Sequence, residues 1–197
     1  MGSESNLPYV HVAVRPPSAE PPRWPEPIQS YLDPAFRYVS SRGPGYVRSR
    51  EDAMSGGLNC VALAHLLIRD LFGYVLPATY QCTELSTDYQ HFSAVARPSL
   101  MRPGDLVWFG RANTAIRVED FVPRFDNGSL ANFDEYPINH VAIYTGVFDQ
   151  ADHHLIHANQ ADGTNAVWPL RAFRDHLRYS RIYAIMRLRR QYKSPAA

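Results

Sequence analysis

GGLNCVALAHLLIRDLFGYVLP, residues 56–77, is the stretch from which the fold of this 197-residue chain can be read. Asn59 is a good N-cap, because its side-chain oxygen can accept a backbone N–H that the first helical turn leaves unpaired. Gly73 is a good stop, since glycine takes the left-handed backbone that ends a helix at little steric cost, and Pro77 follows it. These signals predict a helix over CVALAHLLIRDLF, residues 60–72. Its apolar residues run nearly all the way round and leave His65, Arg69 and Asp70 as a polar stripe. Such a helix is expected at the centre of its domain.

Downstream the pattern shortens. GDLVWFG (104–110), NHVAIYTG (139–146), HHLIHAN (153–159) and RIYAIMRLR (181–189) are apolar and rich in β-branched or aromatic residues, so they read as strands. A second helix is expected at LRAFRDHL, residues 170–177. One buried helix followed by an antiparallel meander predicts an α+β domain with the helix packed on the sheet. The 28 residues 111–138 have no clear period but hold Phe121, Phe125, Phe133 and Tyr136, which point to an ordered lid. Residues 31–59 read as mixed and loop-rich. Residues 1–30 carry seven of the 16 prolines, a composition unsuited to helix or central strand, and read as an extension that Trp24 can anchor. The expected domain is therefore 31–190, followed by a tail over 191–197.

Composition narrows the function classes. Hydrophobic residues make up 45% and charged residues 20%, as in ordinary globular proteins. A net charge of +1 supplies no positive field for nucleic acid, and the basic cluster Arg187, Arg189, Arg190 and Lys193 reads as a solvated strand edge and tail. No apolar run approaches the roughly 20 residues that cross a bilayer. The N-terminus lacks the charged start and apolar stretch of a secretory signal, which leaves a cytosolic chain, signal-independent export or a removed leader equally open. The two cysteines, Cys60 and Cys82, sit in different contexts and are expected to remain unbridged.

Cys60 opens the predicted central helix. Free N–H groups and the helix dipole stabilise a thiolate there, below its ordinary pKa of about 8.5, and can hold a developing oxyanion. A small buried core cysteine is the bland alternative. The histidines weigh against it. If NHVAIYTG and HHLIHAN form a hairpin with the loop Val147–Gln150, then Tyr144 faces His153 and His140 faces His157. Directly opposed residues share a face with Cβ atoms roughly 5 Å apart, so one imidazole can orient the other. That is a nucleophile, a base and an orienting group, provided the helix start meets the same face. His65, His91, His153, His154 and His176 are expected to be exposed or structural. Alternation sends His154 to the face opposite His153 and His157, so no metal or other cofactor is expected.

At these residues the chain resembles the NlpC-type cysteine peptidases of the papain-like superfamily. GGLNCVALAHLLIRDLFGYVLP is similar to their nucleophile helix and RPGDLVWFG to their Pro-Gly-Asp-Leu-Val strand. NHVAIYTG and LIHAN are similar to the segments bearing the base and the third polar residue. The four motifs stand in the family's order and cover most of residues 56–160. CHAP amidases share the Asn-Cys and His-Val-Ala-Ile features, but the His-Ala segment fits NlpC-type proteins better. The resemblance implies a papain-like fold and hydrolysis of amide bonds, first of all in bacterial cell-wall peptides, with Cys60 as nucleophile, His140 as base and His157 as orienting residue. It also implies substrate contacts from Asn59, Val61 and Tyr46, and a structural role for Gln81. The usual family segment is Asp-Cys-Ser-Gly, whereas this chain has Asn59-Cys60-Val61-Ala62. Loss of the charge and the hydroxyl weakens the murein expectation more than the chemistry. A repurposed amidase or acyltransferase, or a catalytically silent binding module, are the alternatives.

Overall fold

In a computed structural model, which describes residues 24–39, 47–77, 82–111, 117–122, 124–126, 129–132 and 135–192, the central helix α3 runs Cys60–Phe72. The Asn59 side chain accepts the Ala62 N–H and Gly73 ends the helix at φ +66°. Every residue from Cys60 to Ile68 is buried, His65 included. The expected polar stripe is thus shorter than the sequence suggests: it is confined to the last turn, where Arg69 bonds Asp70.

Three further helices precede the main sheet in the chain: α1 (Glu26–Ser30), α2 (Arg50–Gly56) and α4 (Cys82–Ser86). Helix α1 corrects the reading of residues 1–30 as a helix-free extension. Pro25 is its N-cap and Pro27 lies in its first turn, where a missing N–H breaks no helical bond. Ile28 and Tyr31 are in the core and Trp24 packs against it, with its ring 5.4 Å from that of His154. The domain therefore begins by residue 24. Residues 1–23, and with them most of the Pro-rich segment, lie outside the described residues.

The main sheet is six-stranded and antiparallel throughout, in the order β1 (Phe92–Ala94), β8 (Arg181–Leu188), β2 (Leu106–Gly110), β5 (Ile138–Asp149), β6 (Asp152–Asn159) and β7 (Thr164–Pro169). Its two faces bury different side chains. Leu106, Trp108, Val141, Ile143, Ile156 and Ala158 join the core around α3. Val107, Phe109, Ala142, Tyr144 and Leu155 join a second core with Leu170 and Phe173 of α5 (Leu170–Asp175). The molecule is α+β, with helices packed on an antiparallel sheet.

Within 111–138 the chain is not structureless. It carries a 3-10 turn, Val118–Asp120, and a two-residue ladder between β3 (Phe125–Asp126) and β4 (Ser129–Leu130). Phe121 and Tyr136 pack together, ring centroids 4.8 Å apart, and the Tyr136 hydroxyl bonds Ser86 Oγ at 2.9 Å. These two aromatics tie the segment to α4 and the main core. Phe133 lies outside the described residues.

Candidate active site

Cys60 is positioned by Gly57, three residues before it. Gly57 has φ +81°, and a Cβ there would meet Val39 Cγ1 at 2.4 Å, so only glycine lets residues 37–39 run alongside. That close approach is held by Leu58 N–H to Arg37 O at 2.9 Å and Val39 N–H to Leu58 O at 2.9 Å. It also delivers Tyr38, whose hydroxyl pKa is raised by burial and then by the charge of Cys60.

The hairpin that carries the histidines exists, with a different register. The β5–β6 turn is Gln150–Ala151, both residues at positive φ, and a bulge between Tyr144 and Phe148 precedes it. Tyr144 pairs with Leu155 instead of His153, a shift of two residues from the expected pairing. An odd shift would have sent the histidines to opposite faces; an even one leaves them together, in a diagonal relation. His140 Nε2 lies 3.1 Å from His157 Nδ1, with the rings perpendicular at 88°.

The β5–β6 ladder stops at Ile143↔Ile156. Beyond it His140 pairs with Phe109 of β2 and His157 with Ala166 of β7, so the sheet divides where the histidines stand. This division matters to the chemistry. By alternation both imidazoles belong to the α5 face, against Phe173, whereas α3 lies on the other face. The gap is where the start of α3 on one side faces an imidazole on the other, and His140 is among the groups that lower the pKa of Cys60.

The electrostatics of Cys60 favour the thiolate. Its pKa lies well below the ordinary thiol value: a hydrogen bond from the Cys82 thiol is the largest cause, burial opposes it, and the His140 side chain and Val141 backbone act with Cys82. Cys82 is pushed well above the ordinary value by the same bond, then by burial. Both thiols are free. Residues that looked unrelated in sequence thus share one core cluster and influence each other's ionisation. The signal was present in the second cysteine, but 21 intervening positions and an unrecognised α4 hid it.

Aromatic rings fix the imidazole planes. Tyr179 stacks on His140 at 4.2 Å and His176 on Tyr179 at 4.3 Å, while Trp168 and Phe173 meet His157 edge-on at 4.5 and 4.7 Å. The Tyr179 hydroxyl is raised to about 12, chiefly by burial and next by the charge of Cys60. His176, expected to be merely exposed or structural, is therefore part of the surroundings of the site. His91 is likewise no simple loop residue: it is buried, with Nδ1 2.8 Å from Asp88.

The structure brings Cys60, His140 and His157 together. Asn59 Oδ1 is engaged at 2.9 Å as the cap of α3, and Val61, 3% exposed, lies in the core. Tyr46 and Gln81 lie outside the described residues. Tyr38, Tyr179 and Cys82 are the groups whose pKa values the charge of Cys60 raises, and none of them is marked by local sequence pattern. No known family model matches the chain, and no curated protein matches it.

Proposed function

We propose that the protein is a cysteine-dependent amidase or peptidase acting through Cys60, His140 and His157. The observation that carries this reading is a cysteine in the first turn of the buried helix α3, its pKa lowered in part by His140, an imidazole that a second, buried imidazole holds at 3.1 Å. Cys60 Sγ attacks an amide carbonyl carbon. The Cys60 backbone N–H, at the positive end of α3, stabilises the oxyanion. His140 then gives its proton to the leaving nitrogen, and afterwards activates the water that opens the thioester. His157 keeps the proton of His140 on the side where it is needed.

The substrate class first implied by the motifs is the bacterial cell-wall peptide. A second reading, an amidase or acyltransferase on a different substrate, is favoured by one observation. The residues at the Asp and Ser positions of cell-wall peptidases are here an engaged helix cap and a core valine. The deciding experiment incubates purified chain with purified murein and follows release of fragments containing γ-D-Glu. Release by wild type and none by Cys60→Ala supports the first reading. Release by neither, with Cys60-dependent cleavage of generic peptide amides, supports the second; no amide cleavage of any kind removes both.

A further inference from the structure

Amide hydrolysis as written above has no use for a second thiol, yet one lies beside the nucleophile. Cys60 is the first residue of α3 and Cys82 the first of α4. Both helices rest against β5, both side chains are buried in the same core cluster, and each thiol is the largest single influence on the ionisation of the other. We infer that Cys60 and Cys82 form a reversible oxidation site, in which a hydroperoxide oxidises Cys60 and Cys82 closes an intramolecular disulfide that blocks the nucleophile. The disulfide rests on the thiol pair alone; the loss of hydrolysis rests on the function proposed for Cys60.

The chemistry balances within the site. The Cys60 thiolate attacks one oxygen of hydrogen peroxide, the S–O bond forms and the O–O bond breaks. The departing hydroxide takes the proton of His140 and leaves as water; sulfur has lost two electrons and the peroxide has gained them. The Cys82 sulfur then attacks the sulfenic sulfur. An S–S bond forms, the S–O bond breaks, and the hydroxide combines with the Cys82 thiol proton as a second water. A dithiol reductant reverses the bridge by thiol exchange.

The arrangement also sets the order of events. Cys60 is the more exposed residue of the two, 7% against 3%, and peroxide is little larger than water. Cys82 is held as a thiol first of all by its bond to Cys60. Oxidation of Cys60 removes the negative charge that bond serves, so Cys82 becomes a better nucleophile only once there is a sulfenic acid to resolve. Without Cys82 the sulfenic acid is exposed to further oxidation, which dithiols do not reverse.

The test treats the reduced full chain with a small molar excess of hydrogen peroxide, then quenches, alkylates under denaturing conditions and maps peptides by mass spectrometry. The expected product is a monomer in which the peptides of Cys60 and Cys82 are joined, two hydrogens lighter than the dithiol and restored by dithiothreitol. In Cys82→Ser, Cys60 should instead pass to the sulfinic and sulfonic acids and stay there. Two alkylatable thiols in oxidised wild type, bridges between molecules, or over-oxidation of wild type as fast as the variant would each overturn the inference. The wild-type map decides alone if the variant does not fold. Bridge formation without any amide hydrolysis by the reduced chain keeps this site and sinks the hydrolase; Cys60-dependent hydrolysis without a bridge does the reverse.

Discussion

His157 has to be neutral for the triad to work, and its surroundings make it so. Burial, then the charges of His140 and His176, hold its pKa well below the ordinary histidine value. When His140 carries protons on both nitrogens, its Nε2–H can donate only to a bare Nδ1 of His157, which leaves the His157 proton on Nε2. That atom is buried with no hydrogen-bond partner among the described residues, and the nearest rings are Trp168 and Phe173. His157→Ala is therefore expected to lower kcat by about 10²-fold or more with little change in KM, measured on any amide the wild type cleaves. His157→Asn should recover part of that loss. His65 gives a separate readout in stability. Burial lowers its pKa to about 4. Unfolded histidine titrates near 6.5, so between those values the unfolded chain binds more protons and stability falls as the pH falls. The loss is on the order of 3 kcal/mol by pH 4 for this group, and none of it occurs above pH 7. Urea midpoints measured from pH 7 to 4.5 should decline less steeply in His65→Phe than in wild type.

At the scale of elements, what was legible was what is locally encoded. Helix α3 begins and ends where Asn59 and Gly73 put it, because capping is a matter of a few adjacent residues. The strands at 106–110, 138–149, 152–159 and 181–188 follow their apolar runs for the same reason. The hairpin register was not legible, because the turn chemistry that sets it is carried by Gln150 and Ala151, neither of which advertises positive φ. The histidine pair survived the two-residue error only because side chains alternate with a period of two. Asn59 itself can be examined as a cap. Asn59→Ala should destabilise the chain by about 1 kcal/mol in urea. Asn59→Asp should keep the cap while setting a carboxylate beside the thiolate, which disfavours the charged form of Cys60. The pH at which iodoacetamide half-reacts with Cys60 should accordingly move upward in Asn59→Asp. An unmoved midpoint would mean that the charge at position 59 does not reach the sulfur.

Over the whole molecule, the site exists because a sheet buried on both faces comes apart at one place. Helix α3 approaches from one face, the α5 layer supports the imidazoles from the other, and the division of β5 from β6 lets them touch. Tyr38, Tyr179 and Cys82, from three distant segments, all feel the charge of Cys60, and couplings of that separation leave no mark on local periodicity. The undivided half of the sheet must then be rigid, and Asp105 ties it together. Its carboxylate is 2% exposed, takes Arg187 Nε at 2.8 Å and a terminal guanidinium nitrogen at 2.6 Å, and also accepts the Arg102 N–H at 2.8 Å. Arg187 lies on β8 and also bonds Leu100 O at 2.7 Å, so one ion pair joins β8, the start of β2 and the turn before it. Breaking such a pair by removing one partner leaves a largely buried charge without its counterion. Asp105→Asn should cost about 3 kcal/mol of unfolding free energy, and Arg187→Lys should not be benign, since an ammonium cannot hold both carboxylate oxygens in the forked geometry. Asp105 is four residues along β2 from Phe109, the partner of His140, or about 13 Å. In the folded fraction of Asp105→Asn, the rate and pH midpoint of Cys60 alkylation should therefore match wild type. A changed midpoint would show that the divided and undivided halves of the sheet are coupled, and that this ion pair also sets the position of the imidazoles.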